Sequence, residues 1–231
     1  MEKRELVLSA LANRRFLYQY AWRLFSAPLD VRALEVTVGG FADEAVTVFA
    51  GEDGRLADVQ RRLCEEVRGV LAGGEDAVGK LDADYTRLFV GPGKLPAPPW
   101  ESVYRADGDL LFQESTLEVR QAYREAGFKA AGYPREADDH VATELSFMAS
   151  LADEASAAVE AGDDERAHAF MTAQVKFLQA HLTRWLPQFA ERLNTQAPAG
   201  TKPFYPLAAY FAAELCERDV QPARDLAAAL R

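Results

Sequence analysis

Asp139, His140 and Glu144 come closest in this sequence to a metal-binding set. His140 and Glu144 stand four apart, and on a helix that spacing puts both on one face. A zinc or two-metal site, and with it a metal-dependent hydrolase, needs at least one further ligand from elsewhere in the chain. The competing reading is a helix N-terminus, where acids cap free amides and favour the dipole. That reading outweighs the metal site, so no catalytic residue and no metal ligand is assigned. The other two histidines, His168 and His181, read as surface or locally hydrogen-bonded groups.

A second cluster follows a stretch that cannot be helical, Gly91-Pro92-Gly93-Lys94-Leu95-Pro96-Ala97-Pro98-Pro99-Trp100. Proline removes amide donors, fixes its own φ and pushes the preceding residue to extended geometry. The loop is therefore stiff, and it is too apolar for a solvated linker. Glu101-Ser102-Val103-Tyr104 comes next, so a Trp, a Tyr and a carboxylate fall within five residues. Aromatic anchors on a stiff segment suit peptide recognition, and a nearby carboxylate can pair with arginine. A buried crossover with Trp100 and Tyr104 in the core fits the residue types equally well. Gly91-Pro92-Gly93-Lys94 is no phosphate cradle: proline removes an amide and no Ser or Thr follows the lysine. Cys64 and Cys216 form no redox pair and read as two buried thiols in a reducing compartment.

The elements that must position these residues are helices. Leu6, Leu8, Leu11, Phe16, Tyr20, Leu24 and Phe25 recur at helical spacing up to Pro28. Asp30 caps a short helix ended by Gly39-Gly40, and helices are predicted over 41–50, 55–71 and 75–90. Helical signals resume over 110–126. A break at Gly127, Gly132 and Pro134 follows, and Asp138 or Asp139 opens a long helix to about Gly162. Asp163-Asp164 caps another that bends or ends at Pro187, with Phe189 to Leu193 continuing it. The last two are predicted over 204–216 and 222–230. Strand signals are scarce. The expectation is an all-α fold: one domain over 1–231, a bundle of about eight to ten helices with a central proline-rich loop.

The chain of 231 residues carries 26 Lys+Arg against 36 Asp+Glu, a net charge of −10. Such a body is a poor general binder of nucleic acid or anionic membrane, and it favours basic partners. No apolar run is long enough for stable membrane insertion. Asn13-Arg14-Arg15-Phe16-Leu17 looks like a twin-arginine export box, but charged and polar residues follow where a signal needs an apolar stretch. Arg14 and Arg15 read instead as a polar face of the first helix, and the protein as cytoplasmic.

Three ordered blocks carry a resemblance. The first is Asp84-Tyr85-Thr86-Arg87-Leu88-Phe89-Val90-Gly91-Pro92-Gly93, with Pro96, Pro98 and Pro99-Trp100-Glu101-Ser102-Val103-Tyr104. The second is Asp138-Asp139-His140-Val141 with Glu144-Leu145 and Phe147-Met148. The third is Phe177-Leu178, His181-Leu182, Trp185-Leu186-Pro187 and Phe189, then Phe204-Tyr205-Pro206-Leu207-Ala208. Together they resemble the TorD/DmsD/NarJ family of redox-enzyme maturation chaperones. The proline loop and the Trp-Glu-Ser-Val-Tyr block look more like the DmsD/TorD branch.

The resemblance implies an all-helical, cytoplasmic, non-catalytic protein with no cofactor of its own. It implies binding to the apo catalytic subunit of a molybdopterin-dependent oxidoreductase, through its twin-arginine signal peptide, until the cofactor is loaded. By position it assigns signal-peptide binding to Trp100, Glu101, Ser102, Tyr104, Asp139 and His140. Tyr85, Leu88 and Phe89, with Pro98 and Pro99, are expected to shape the loop. Glu101 and Asp139 are the candidate partners for guanidinium. Trp100, Tyr104, Leu95 and Phe147 are the candidate apolar surface. The expected oligomeric state is a monomer or a dimer that exchanges helices at the 127–134 break.

Overall fold

The helical segments expected from the apolar spacing form within a few residues of their ends, except that the last two are one continuous helix. The structure is a computed structural model, and it describes residues 3–51, 54–105, 113–130, 132 and 137–231. The helices are α1 (Lys3–Ser26), α2 (Val31–Thr37), α3 (Gly40–Ala50), α4 (Arg55–Ala72), α5 (Gly74–Tyr85), α6 (Ser102–Arg105), α7 (Glu114–Glu125), α8 (Val141–Ala161), α9 (Asp164–Phe177), α10 (Thr183–Gln196) and α11 (Phe204–Ala229). Wider π turns extend α5 over Thr86–Val90 and join α9 to α10 over Leu178–Leu182. There is no strand among the described residues, and one isolated antiparallel bridge pairs Trp100 with His140. The fold is all-α. Residues 110–112 of the helix expected over 110–126, and most of the break around Pro134, lie outside the described residues.

Two helices form the centre. α8 and α11 are buried over most of their circumference, which is why neither shows a single clean apolar stripe in the sequence. α8 packs against α1 and α9, and α11 against α10, α4 and α9. Small residues make these approaches close: Ala149, Ala152, Ala155 and Ala158 on α8, and Ala208, Ala209, Ala212 and Ala213 on α11, are all buried.

The caps hold where the sequence marks them, with one exchange. Asp30 accepts from the Ala33 amide at 2.8 Å and Asp163 from that of Arg166 at 3.0 Å. α8, expected to open on Asp138 or Asp139, is capped by His140, whose Nδ1 accepts from the Ala142 amide at 3.2 Å. α11 also differs from expectation. It runs unbroken through Pro222, where two helices were expected. Proline there removes the bond to the Arg218 carbonyl, and Glu217 and Arg218 are exposed, so water can satisfy that group.

Arg14 is the main correction. It does not share a polar face with Arg15 but lies in the core, 2 % exposed. Its guanidinium donates to the Asp219 carboxylate of α11 and to Gln174 of α9, and Tyr18 donates to the other Asp219 oxygen at 2.6 Å. The arginine repeat in the sequence thus splits: Arg15 meets Asp153 at the surface, and Arg14 ties three helices. Removing one partner of such a pair leaves a buried charge. Asp219→Ala is therefore expected to cost about 3–5 kcal/mol in urea unfolding, against less than about 1 kcal/mol for Asp153→Ala.

Candidate functional site

The expected site residues come together where the proline loop crosses the start of α8. Gly91 and Gly93 adopt positive φ and turn the chain out of the first π turn. Arg192 of α10 donates to the Pro96 carbonyl at 2.9 Å, and Ala97 is fully enclosed. The Val141 amide donates to the Pro99 carbonyl at 2.9 Å, and the Glu101 amide to the Asp139 carbonyl at 3.0 Å. These two bonds make the Trp100–His140 bridge. Asp139 Oδ2 accepts from the Ser102 amide at 2.8 Å, so it caps α6 and not α8. The rings of Trp100 and His140 meet edge to face at 5.5 Å, both half-buried.

The loop-shaping residues lie behind this crossing. Leu88 and Phe89 are buried, and Phe89 meets Phe25, Tyr85 and Tyr205 ring to ring. Tyr85 donates to the Phe25 carbonyl at 3.1 Å. Pro99 is buried and Pro98 half-buried.

Glu101 and Asp139 have no accessible surface. These two carboxylates, the candidate partners for a guanidinium, are thus covered. Glu101 accepts from Arg105 Nη1 at 2.9 Å, one turn along α6. On its other side His181 Nδ1 lies 2.9 Å from Oε2. A carboxylate only accepts, so Nδ1 carries the proton. His181, expected as a surface or locally hydrogen-bonded group, is 5 % exposed and bonds a residue far away in the chain; it is the residue that sequence reasoning missed. Its place inside the third family block, four residues before Trp185, was the available signal.

The π turn explains how His181 reaches the site. Widening the helix over Leu178–Leu182 frees carbonyls from the regular ladder, and side chains take them up. Thr183 donates to the Leu178 carbonyl, Arg184 to Gln179 and Arg105 to Ala180. Arg105 Nη1 thus bridges the Glu101 carboxylate and the backbone of the π turn.

Glu144 closes the cluster from α8. Its Oε2 accepts from Trp185 Nε1 at 3.0 Å. Burial, and then the negative charge of Glu101, push its carboxyl well above the ordinary range. Burial pushes His140 the other way, down to about 4, which keeps the capping imidazole neutral. The metal reading of Asp139, His140 and Glu144 meets these commitments: an α6 cap, an α8 cap and an acceptor for Trp185. Among the described residues no group of three or more His, Cys, Asp or Glu is arranged to hold a metal ion.

Above the cluster runs a groove. One hollow of about 550 Å³ lies along α9 and α7, floored by Phe147, Phe170 and Phe177. At Ala180 and His181 it meets a polar hollow of about 520 Å³ bounded by Tyr104, Arg105, Arg184 and Gln188. Tyr104 and Gln188 then belong to a third, of about 640 Å³, along α10 to Glu191, Arg192 and Gln196. Tyr104 is the wall between them, stacked on Trp185 at 5.5 Å. Phe147 is 1 % exposed and reaches the groove only as floor, packed among Tyr123, Phe128 and Phe177.

A family model described as the nitrate reductase delta subunit matches residues 52–191. The chain is 30 % identical over 179 residues to "Chaperone protein TorD" of Aliivibrio fischeri, covering 78 % of this chain and 81 % of that protein. It is 32 % identical over 185 residues to "Chaperone protein TorD" of a Vibrio cholerae O1 strain, covering 80 % and 76 %. Over 73 residues it is 41 % identical to "Tat proofreading chaperone DmsD" of Salmonella paratyphi A, covering 32 % and 36 %. Relatives of this kind define the class: the protein is a chaperone. The chain belongs to the TorD/DmsD/NarJ family of redox-enzyme maturation chaperones. No helix among the described residues is long and apolar enough to cross a membrane.

Two pH effects follow from the cluster. His140 has a folded value below its unfolded one, so its contribution is present above about pH 6.5 and is lost as pH falls through about 4. Wild type should lose more stability than His140→Asn across that window, because Asn caps without taking a proton. Glu144 has a raised folded value, so its contribution is present below the ordinary carboxyl value and is lost as pH rises through the folded one. Glu144→Gln, the neutral isostere, should therefore match or exceed wild-type stability at pH 8 in chemical denaturation.

Proposed function

We propose that this chaperone works in the cytoplasm and binds the apo catalytic subunit of a molybdopterin-dependent oxidoreductase through its twin-arginine signal peptide. It then holds the subunit back from export or assembly until its cofactor is loaded. The observation that carries this reading is the groove. It passes over Val103 and Tyr104 of the Trp-Glu-Ser-Val-Tyr block and over the π turn, and its chemistry changes along its length. The end along α9 has an aromatic floor suited to an apolar, helix-prone stretch. The middle is polar and sits against the buried Glu101 carboxylate. A twin-arginine signal has that same sequence of parts: guanidinium groups, then an apolar segment. The name "Tat proofreading chaperone" of the DmsD relative supports the same reading.

In this reading Tyr104 contacts the peptide directly, and Trp100 and His140, half-buried at the crossing, pair its two segments. Ser102 and Asp139 hold α6 at the crossing, and Glu101 supplies the charge beneath. Tyr85, Leu88, Phe89, Pro98 and Pro99 set the loop that carries them. Calorimetry against a synthetic twin-arginine signal peptide from a neighbouring molybdoenzyme gene tests it. The expected result is binding that Tyr104→Ala weakens about tenfold, the loss of a central aromatic contact. Absence of binding by both the peptide and the apo subunit, at low and moderate salt, overturns it.

A further inference from the structure

A receptor for arginine needs a carboxylate, yet the carboxylate at the centre of this groove is already covered by an arginine of the same chain. Arg105 closes α6, its side chain is about one-third exposed, and it lines the polar hollow together with Tyr104, His181 and Arg184. Beneath it, Glu101 has no accessible surface. One nitrogen, Nη1, makes both the 2.9 Å contact to Glu101 Oε1 and the contact to the Ala180 carbonyl. A guanidinium can instead offer a carboxylate two parallel N–H donors.

We propose that Arg105 is an internal stand-in for an arginine of the bound peptide: it occupies the Glu101 carboxylate in the free chaperone, and the incoming arginine takes its place by exchange. This rests on the twin-arginine reading above and adds a regulatory step to the same site.

The physical reason is the cost of a bare buried anion. With its cation removed and nothing in its place, Glu101 would keep His181 as its partner, an expensive state in the interior. A receptor built around such a carboxylate therefore stays closed on a cation of its own. Exchange replaces one guanidinium by another, so the buried charge is paired before and after. The departing Arg105 stands at the groove wall, where its side chain can turn into water. Net affinity then comes mainly from the apolar part of the peptide, and the exchange supplies selectivity. A peptide with glutamine in place of arginine cannot displace Arg105 and leaves the plug in place. The self-occupied state also lowers apparent affinity by the fraction of molecules that remain closed.

Two measurements on the full chain test this. In the first, wild type and Arg105→Met are titrated with a twin-arginine peptide and with the same peptide carrying glutamine at both arginines. Exchange predicts that Arg105→Met binds the arginine peptide roughly fivefold tighter or more, with little change for the glutamine peptide. Unchanged or weaker binding of the arginine peptide by a folded Arg105→Met protein overturns the proposal. The second needs no variant and so survives a failure of Arg105→Met to fold. Wild type is treated with phenylglyoxal, an arginine-selective reagent, with and without saturating peptide, and modification of Arg105 is read by mass spectrometry. Displacement predicts faster modification of Arg105 in the complex. A rate that falls or stays the same means that Arg105 keeps its seat or itself contacts the peptide, and overturns the exchange. If wild type binds neither the arginine peptide nor the apo subunit, the function proposed above fails. If it binds but Arg105 behaves otherwise, only the exchange fails.

Discussion

The carboxylate of Glu101 is a negative charge with no surface, and the arrangement around it follows from that. A charge in the interior is tolerated only when its solvation is replaced in full. Arg105 replaces part of it from the same helical turn, and His181 part of it from the far side of the groove. Glu144, packed close by on α8, is pushed toward its neutral form by burial and by the charge of Glu101. A regular helix would carry residue 181 and the carbonyls before it to different positions. The π turn over Leu178–Leu182 sets both His181 and the Ala180 carbonyl toward α6, so one wide turn supplies two of the contacts that make the buried anion tenable.

The same logic holds the two crossing segments together. Pro92, Pro96, Pro98 and Pro99 have no amide to donate, so the loop cannot form a continuous ladder of its own. It borrows one instead. The amides of Glu101 and Val141 and the carbonyls of Asp139 and Pro99 form a minimal bridge, and Asp139 caps the single turn that follows. His140 then caps α8 with a neutral ring. Each residue of the Asp139–His140 pair thus serves the other segment's backbone or the next helix. This places Tyr104 at the groove with little freedom to lose on binding.

Two buried ionic networks lie in the interior, and they differ in consequence. Arg14 and Asp219 lie deep among α1, α9 and α11, with Tyr18 and Gln174 completing the set. Its partners are all internal, so it sets which helices pair. The Glu101 network instead has a cation that is one-third exposed and lines a groove. The chemistry of the two is alike. Only the second has an edge that a ligand can reach.

Much of this was legible in the residues. Apolar spacing gave the helices, Asp30 and Asp163 gave two caps, and the order of the three blocks gave the family. The candidate site residues were named in the right neighbourhood, because Trp100 to Tyr104 and Asp139 to His140 are each contiguous. What the sequence did not show is which charged groups are inside. Arg14 and Arg15 are neighbours of identical type, yet successive helix positions point about 100° apart, and only the packing of α11 and α9 decides that one is core. The burial of Glu101 was not legible because its two partners are four and eighty residues away, and the second reaches it through a π turn that no local pattern marks. Pro222 looked like a boundary because proline usually is one; an exposed stretch beside it let the helix continue. The sequence by itself determined the helices, their caps and the family, since these rest on spacing and on neighbours within a turn. Only the tertiary structure decided the burial of Arg14, Glu101 and Asp139 and the closing of the groove by Arg105, since the energy of a charge depends on what surrounds it in space.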